Sequence, residues 1–124
     1  MNIVDSSGWI EYLTDGNGAK FFADPISNLP ELLVPSICFY EVYRIVLREM
    51  GDKPAEAAAA LMQTARVINL DMNIALSAAA IGHELKLAMA DSVILATTRN
   101  FSATLWTQDA DFKDIEGVKY RAKS

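Results

Sequence analysis

Apolar positions along the chain follow two spacings in alternation: short continuous runs and longer stretches with helical periodicity. Asn2-Ile3-Val4 is the first run, β-branched and of a length suited to a buried strand. Leu32-Leu33-Val34-Pro35 is the second, with Pro35 at its end, where no ladder donor is needed. Arg66 to Leu70, Ala103 to Thr107 and Val118 to Tyr120 supply three more. Between the first two, Ser6 or Ser7 is a natural cap for a helix through Leu13, which Asp15-Gly16-Asn17-Gly18 ends. Ala19 to Leu29 carries a weaker helical pattern that Pro25 disturbs. Ser36 is placed to cap a helix from Ile37 to about Met50, closed by Gly51, and Pro54 to open an Ala-rich helix from Ala55 to about Ala65. Asp71 can cap the next, with Ile74, Ala78, Ile81 and Leu85 as its buried stripe. A helix with Asp91 at its start ends near Asn100, and a short helical turn runs from Asp111 to Ile115.

Strands alternating with helices imply βαβ units. The expected fold class is therefore α/β, with a mainly parallel sheet of about five strands covered on both faces. Ligands in such folds bind beyond the carboxyl ends of the strands. Asp5 and Asp109 each follow a strand, Asp91 opens the helix that leads into strand four, and Glu41 lies about one turn into the helix after strand two. The topology can thus gather four acids at one edge.

Composition narrows what they could do. The 124 residues suit one domain, residues 1–124, and 52% hydrophobic content with a mean hydropathy of +0.15 argues for a well-buried globule. No apolar run approaches the roughly 20 residues of a membrane span. Met1-Asn2-Ile3-Val4 has no basic n-region, so a cytoplasmic location is expected. Cys38 reads as a core thiol and His83 as a half-buried helix residue. With one cysteine and one histidine no zinc cage can be assembled, and carboxylates are left to carry the chemistry. The net charge of −5 argues against a broadly basic nucleic-acid surface but is compatible with a site that meets phosphates through divalent cations.

Clustered carboxylates repel, and a cation at their centre relieves this. Hard oxygen donors without His or Cys select Mg²⁺ or Mn²⁺, and such ions activate water against a phosphodiester. Asp5 and Asp91 are the first candidate metal ligands, Asp109 a further or water-mediated one, and Glu41 a second-ion ligand or the residue that orients water. Plainer roles compete: Asp5 as a helix cap, Glu41 paired with Arg44, and Asp109 as a turn residue. Asp111 is either a further ligand or the cap of the turn that follows it, and the cap is the favoured reading. Phe21 and Phe22 read as core, and Arg44, Arg48 and Arg99 as solvated residues able to contact RNA phosphates.

Ile3-Val4-Asp5-Ser6-Ser7, Glu41 within Pro35 to Val42, Ala90-Asp91-Ser92-Val93-Ile94-Leu95-Ala96-Thr97 and Leu105-Trp106-Thr107-Gln108-Asp109-Ala110-Asp111-Phe112 together resemble a PIN domain of the VapC toxin type, over essentially the whole chain. The resemblance implies an α/β/α sandwich, Mg²⁺-dependent endoribonuclease activity, homodimers, and a cognate antitoxin whose tail blocks the acidic pocket. It aligns Asp5, Glu41, Asp91 and Asp109 with the family's acidic quartet, and Ser6 and Thr107 with hydroxyls that support it. Ser92 stands where Ala is more usual. The alternatives are a receiver-like phosphoacceptor, which Ser6-Ser7 after Asp5 and the position of Lys119 disfavour, and a non-catalytic PIN-like binding module.

Overall fold

The computed structural model describes residues 1–124. Five strands form one sheet: β1 (Asn2–Val4), β2 (Leu32–Pro35), β3 (Arg66–Ile68), β4 (Thr104–Thr107) and β5 (Val118–Tyr120). Their order is β3-β2-β1-β4-β5, and every neighbouring pair is parallel. Six helices connect them: α1 (Ser6–Leu13), α2 (Ala19–Ser27), α3 (Ser36–Met50), α4 (Asp52–Met62), α5 (Met72–Leu85) and α6 (Met89–Asn100). This is the three-layer α/β/α arrangement that the alternating pattern predicts.

The first strand occupies the middle of the sheet. Asn2, Ile3 and Val4 stand opposite Thr104, Leu105 and Trp106 on one side, while Asn2 and Ile3 stand opposite Leu32 and Leu33 on the other. Ile3, Val4, Leu33, Val34 and Leu105 are fully buried, as strands covered on both faces require. α1 and α2 cover the face that bears Val4 and Trp106. Gly8 lies so close to Val4 and Phe22 that a β-carbon there would approach both to under 3 Å, and Phe21 packs its ring 5.0 Å from that of Trp106. Phe22 is core as expected, whereas Phe21 is only half-buried.

Several element ends differ from the expectation, each for a local reason. Asp5, rather than Ser6 or Ser7, caps α1, because its side chain accepts from the Gly8 N–H. Ser36 is the first residue of α3 and caps nothing. Its hydroxyl instead accepts from the Leu70 N–H at 3.1 Å and ties down the chain that leaves β3 at Ile68, two residues before the predicted end. Pro25 lies inside α2 but in its last turn, where the ring displaces few backbone bonds, so the helix persists to Ser27. Gly51 does close α3, with φ of +95°, and α4 begins directly after it, with Pro54 in its first turn. Asp71 caps α5 by accepting from the Ile74 N–H. Ile74, Ala78 and Ile81 are buried and Leu85 half-buried. His83 is exposed, not half-buried, because it falls on the opposite side of α5 from that stripe.

No helix is long and apolar enough to cross a membrane. Cys38 is fully buried in α3 with no disulfide partner, and burial pushes its thiol up, so it stays protonated.

Candidate functional site

The carboxyl ends of β1 and β4 lie side by side, and each delivers an acid just beyond the last ladder bond. Asp5 still donates its backbone N–H to the Trp106 carbonyl at 3.2 Å, which holds its side chain at the sheet edge. That carboxylate accepts from the Gly8 N–H at 2.8 Å, from the Ser7 hydroxyl at 3.0 Å to either oxygen, and from the Thr107 hydroxyl at 2.5 Å. Thr107, fully buried, donates its one hydroxyl proton to Asp5 and accepts the Asp109 N–H at 2.9 Å on the same oxygen. Asp109 in turn caps the 3₁₀ turn Ala110–Phe112 by accepting the Asp111 N–H at 2.9 Å. A relay of hydrogen bonds therefore fixes Asp5, Thr107, Asp109 and the backbone of Asp111 relative to one another.

Glu41 and Asp91 arrive from helices. Ser6 donates to Glu41 at 2.6 Å, linking the first turn of α1 to the second turn of α3. Arg44, expected as a possible partner of Glu41, reaches the Tyr40 hydroxyl instead at 3.2 Å. Asp91 lies in the first turn of α6, beside unpaired backbone N–H groups and the positive end of the helix dipole. Ser92, next to it, is turned away and buried. It donates to the Ala88 carbonyl at 2.8 Å and sits against Gly82 of α5, where a β-carbon would come within 2.6 Å of its hydroxyl oxygen.

One carboxylate oxygen from each of Asp91, Asp109 and Asp111 lies within 4.8 Å of the other two. Of the two readings of Asp111, cap or ligand, the favoured cap does not hold. That role falls to Asp109, and the i, i+2 spacing of Asp109 and Asp111 across the turn brings the second acid round to the first. The signal was present in Asp109-Ala110-Asp111-Phe112: burying Phe112 at the end of the turn leaves Asp111 outward beside Asp109. Asp5 stands outside this close trio.

The electrostatics record the crowding. Burial raises the Asp5 carboxyl from 3.8 to about 6, against the lowering effect of its bonds from Thr107, Gly8 and Ser7, and Asp109 adds repulsion. Burial also raises Asp91 to about 6, followed by repulsion from Asp109, Glu41, Asp5 and Asp111. Every acid in the group thus burdens the charge of Asp91. Oxygen donors converge, and neither the histidine nor the cysteine contributes: His83 is exposed on α5, and Cys38 is buried with its proton on. The donor set fits a hard divalent cation.

The three arginines take different positions. Arg44 is exposed one turn beyond Glu41. Arg48 pairs with Glu49 at 3.1 Å on the surface. Arg99 lies in the last turn of α6, about 12 Å along the axis from Asp91.

Solved structures of similar shape repeat this architecture. A chain of a toxin–antitoxin complex from Klebsiella pneumoniae is 24% identical, with 96% of each chain covered and a TM-score of 0.81. VapC20 from Mycobacterium tuberculosis, described as a Sarcin-Ricin loop cleaving toxin, is 18% identical over 94% of this chain and 95% of its own, with a TM-score of 0.76. FitAcB from Neisseria gonorrhoeae is 19% identical over 97% of this chain and 96% of its own, with a TM-score of 0.74. No curated protein matches the chain. A model of the PIN domain matches residues 3–118, a span that takes in Asp5, Glu41, Asp91, Asp109 and part of every strand, and by that match the chain belongs to the PIN domain family.

Proposed function

We propose that the protein is an endoribonuclease dependent on Mg²⁺ or Mn²⁺ and the toxin of a type II toxin–antitoxin pair. The observation that carries this reading is the approach of Asp91, Asp109 and Asp111 to within 4.8 Å, with Asp5 and Glu41 held beside them by Thr107 and Ser6. Asp91 and Asp109 would hold the ion directly, with Asp111 completing the trio. Asp5 would join through its free lone pairs or through a bound water. When bound, the ion would polarise a phosphodiester and lower the pKa of an attacking water. Glu41, kept in place by Ser6, would orient the attacking water. Thr107 holds Asp5 charged and fixed. The dipole of α6 supports the charge on Asp91. Arg44 is the arginine best placed for an RNA phosphate, because Arg48 is engaged by Glu49 and Arg99 lies at the far end of α6.

Partners follow from the surface and from the relatives. Leu70, Met72, Leu76 and Met89 are exposed apolar side chains on or just before α5 and α6, and Leu70 and Met89 line one groove, a surface that suits a homodimer. A cavity of about 280 Å³ between α3 and α4, lined by Leu13, Val46, Met50, Pro54 and Leu61, suits an apolar segment of an antitoxin. The toxin–antitoxin complex from Klebsiella pneumoniae among the structural relatives supports such a partner. The protein then acts in the cytoplasm, where its RNA substrate is.

Purified protein with Mg²⁺ or Mn²⁺ should cleave single-stranded RNA, a chelator should stop it, and Asp91→Asn should lower the rate by at least about 100-fold. Equal cleavage by wild type and Asp91→Asn would sink the reading, and so would no cleavage by either.

A further inference from the structure

On the α2 face of the sheet, beside β4 and the edge strand β5, lies an open cavity of about 570 Å³ whose lining includes Lys20, Phe21, Asp24, Trp106 and Lys119. Trp106 and Lys119 stand opposite each other across the two strands, one residue before Thr107 and Tyr120 at the strand ends. The Lys119 ammonium rests 4.3 Å from the centroid of the Trp106 ring. That ring is itself pinned: its N–H donates to the Asn2 side chain at 2.9 Å, and the Phe21 ring packs 5.0 Å away. A lysine ammonium ordinarily ranges through solvent on its four-carbon stem, and here an aromatic face holds it at one wall. Neither Lys119 nor Lys20 is paired with a carboxylate, and the ion pair of the structure joins Arg48 to Glu49 instead. Asp24, one turn along α2 from Lys20, is the single acid in the lining and leaves the cavity with a net positive charge.

We infer that this cavity is a phosphate site, in which Lys20 and Lys119 grip the backbone of a single-stranded RNA that reaches the acidic edge. The inference rests on the ribonuclease reading above for its ligand. The chain carries a net charge of −5 and the edge gathers carboxylates, so a polyanion is repelled unless cations of the protein offset this. A divalent ion at the edge would serve the phosphate being cleaved, and phosphates further along the strand need fixed cations. Lys119 supplies one about 3.3 Å, a single residue's rise, below the strand ends. No base stacks in this cavity, because Trp106 is only 7% exposed and its ring is already covered by Lys119 and Phe21. The contact is therefore to the backbone, which sets register and carries no sequence preference.

Salt dependence tests this directly. In the Asp91→Asn background with Mg²⁺, where hydrolysis is suppressed, fluorescence anisotropy gives the affinity for short oligouridylate and oligoadenylate over a range of salt concentrations. The slope of log affinity against log salt should shrink by about 0.7 for Lys119→Gln, and by about 0.7 more when Lys20→Gln is added. Both oligonucleotides should weaken alike. Lys119→Arg, which keeps the charge and the ring contact, should restore the slope, and Asp24→Asn should tighten binding. The place of contact is read by NMR: the indole N–H signal of Trp106 should shift on adding RNA or inorganic phosphate, while that of the buried Trp9 stays in place.

No RNA binding, or an unchanged slope in the double lysine variant, overturns the inference. A Trp106 shift with inorganic phosphate but none with RNA overturns it too, by making the cavity a site for a free anion. Oligoglutamate that binds more tightly than RNA through the same two lysines does so as well, by giving the cavity to an acidic polypeptide. The two readings fail separately. Lysine-dependent RNA binding by a protein that cleaves nothing as wild type would refute the nuclease and leave the phosphate site. Cleavage with an unchanged slope would do the reverse.

Discussion

Thr107 and Asp5, 102 residues apart in sequence, meet through a 2.5 Å hydrogen bond that spans the two central strands. Its donor is fully buried, and its oxygen also receives the Asp109 N–H. One hydroxyl thereby sets the position of two acids.

Thr107→Val keeps the shape and removes both bonds. The fold should lose about 1–3 kcal/mol, and the Asp5 carboxyl should rise further, since the Thr107 bond is the strongest influence lowering it. Thr107→Ser should restore most of both. Chemical denaturation and an NMR titration of the Asp5 carboxyl measure these effects, and a Val variant as stable as wild type would contradict them.

Acidity should affect the metal-free and metal-loaded protein in opposite senses. Asp5 and Asp91 hold their protons up to about pH 6 in the fold, against 3.8 ordinarily. The folded state then binds protons more tightly than the unfolded chain. In chelator, stability should rise as pH falls from about 6 towards about 4, and decline as pH rises through about 6. Excess Mg²⁺ needs the carboxylates ionised, so its stabilising effect and the cleavage rate should grow through about pH 6 and then level off. Urea midpoints in EDTA that climb between about pH 5 and 7 would refute the first part. Asp91→Asn should flatten the dependence.

The contact between Gly82 and Ser92 should appear as a coupling. A methyl at Gly82 would lie 2.6 Å from the Ser92 hydroxyl oxygen and 3.3 Å from its β-carbon. Gly82→Ala should cost about 1–3 kcal/mol despite the better helix propensity of Ala. In a Ser92→Ala background the same change should cost clearly less, an interaction of about 0.5–3 kcal/mol in a double-mutant cycle. Additive effects would show that α5 and α6 adjust freely. Because Ser92 follows Asp91, Gly82→Ala should also slow cleavage.

The apolar patch at α5 and α6 gives a prediction in solution. Met72, Leu76 and Met89 are 73%, 64% and 74% exposed. The protein should sediment as a dimer at micromolar concentration, and Leu76→Glu should give a monomer that remains folded by circular dichroism. A monomeric wild type would remove the patch as the dimer surface.

The order and type of the elements were legible because alternating short apolar runs and helical stripes are properties of the chain itself. Leu32–Pro35 and Val118–Tyr120 fall at the expected residues. The edge to which Asp5 and Asp109 go followed from their positions just after strands. What was not legible depends on side chains meeting across the fold. Nothing near Ser36 indicates that its hydroxyl serves Leu70 rather than its own helix. Ser7 is no cap because Asp5, one residue beyond β1, reaches the Gly8 N–H first. Asp111 was read as a cap because local spacing allows it, and only the course of the turn gives that place to Asp109.

The place of β1 at the middle of the sheet has a consequence for assembly of the acidic edge. Strand β1 precedes β4 by some hundred residues and waits for it to complete its pairing. Until then Asp5 has no Thr107, and neither Asp109 nor Asp111 has emerged. A fragment that stops short of residue 104 therefore keeps Asp5, Glu41 and Asp91 but lacks the hydroxyl that positions Asp5 and two of the three carboxylates that converge.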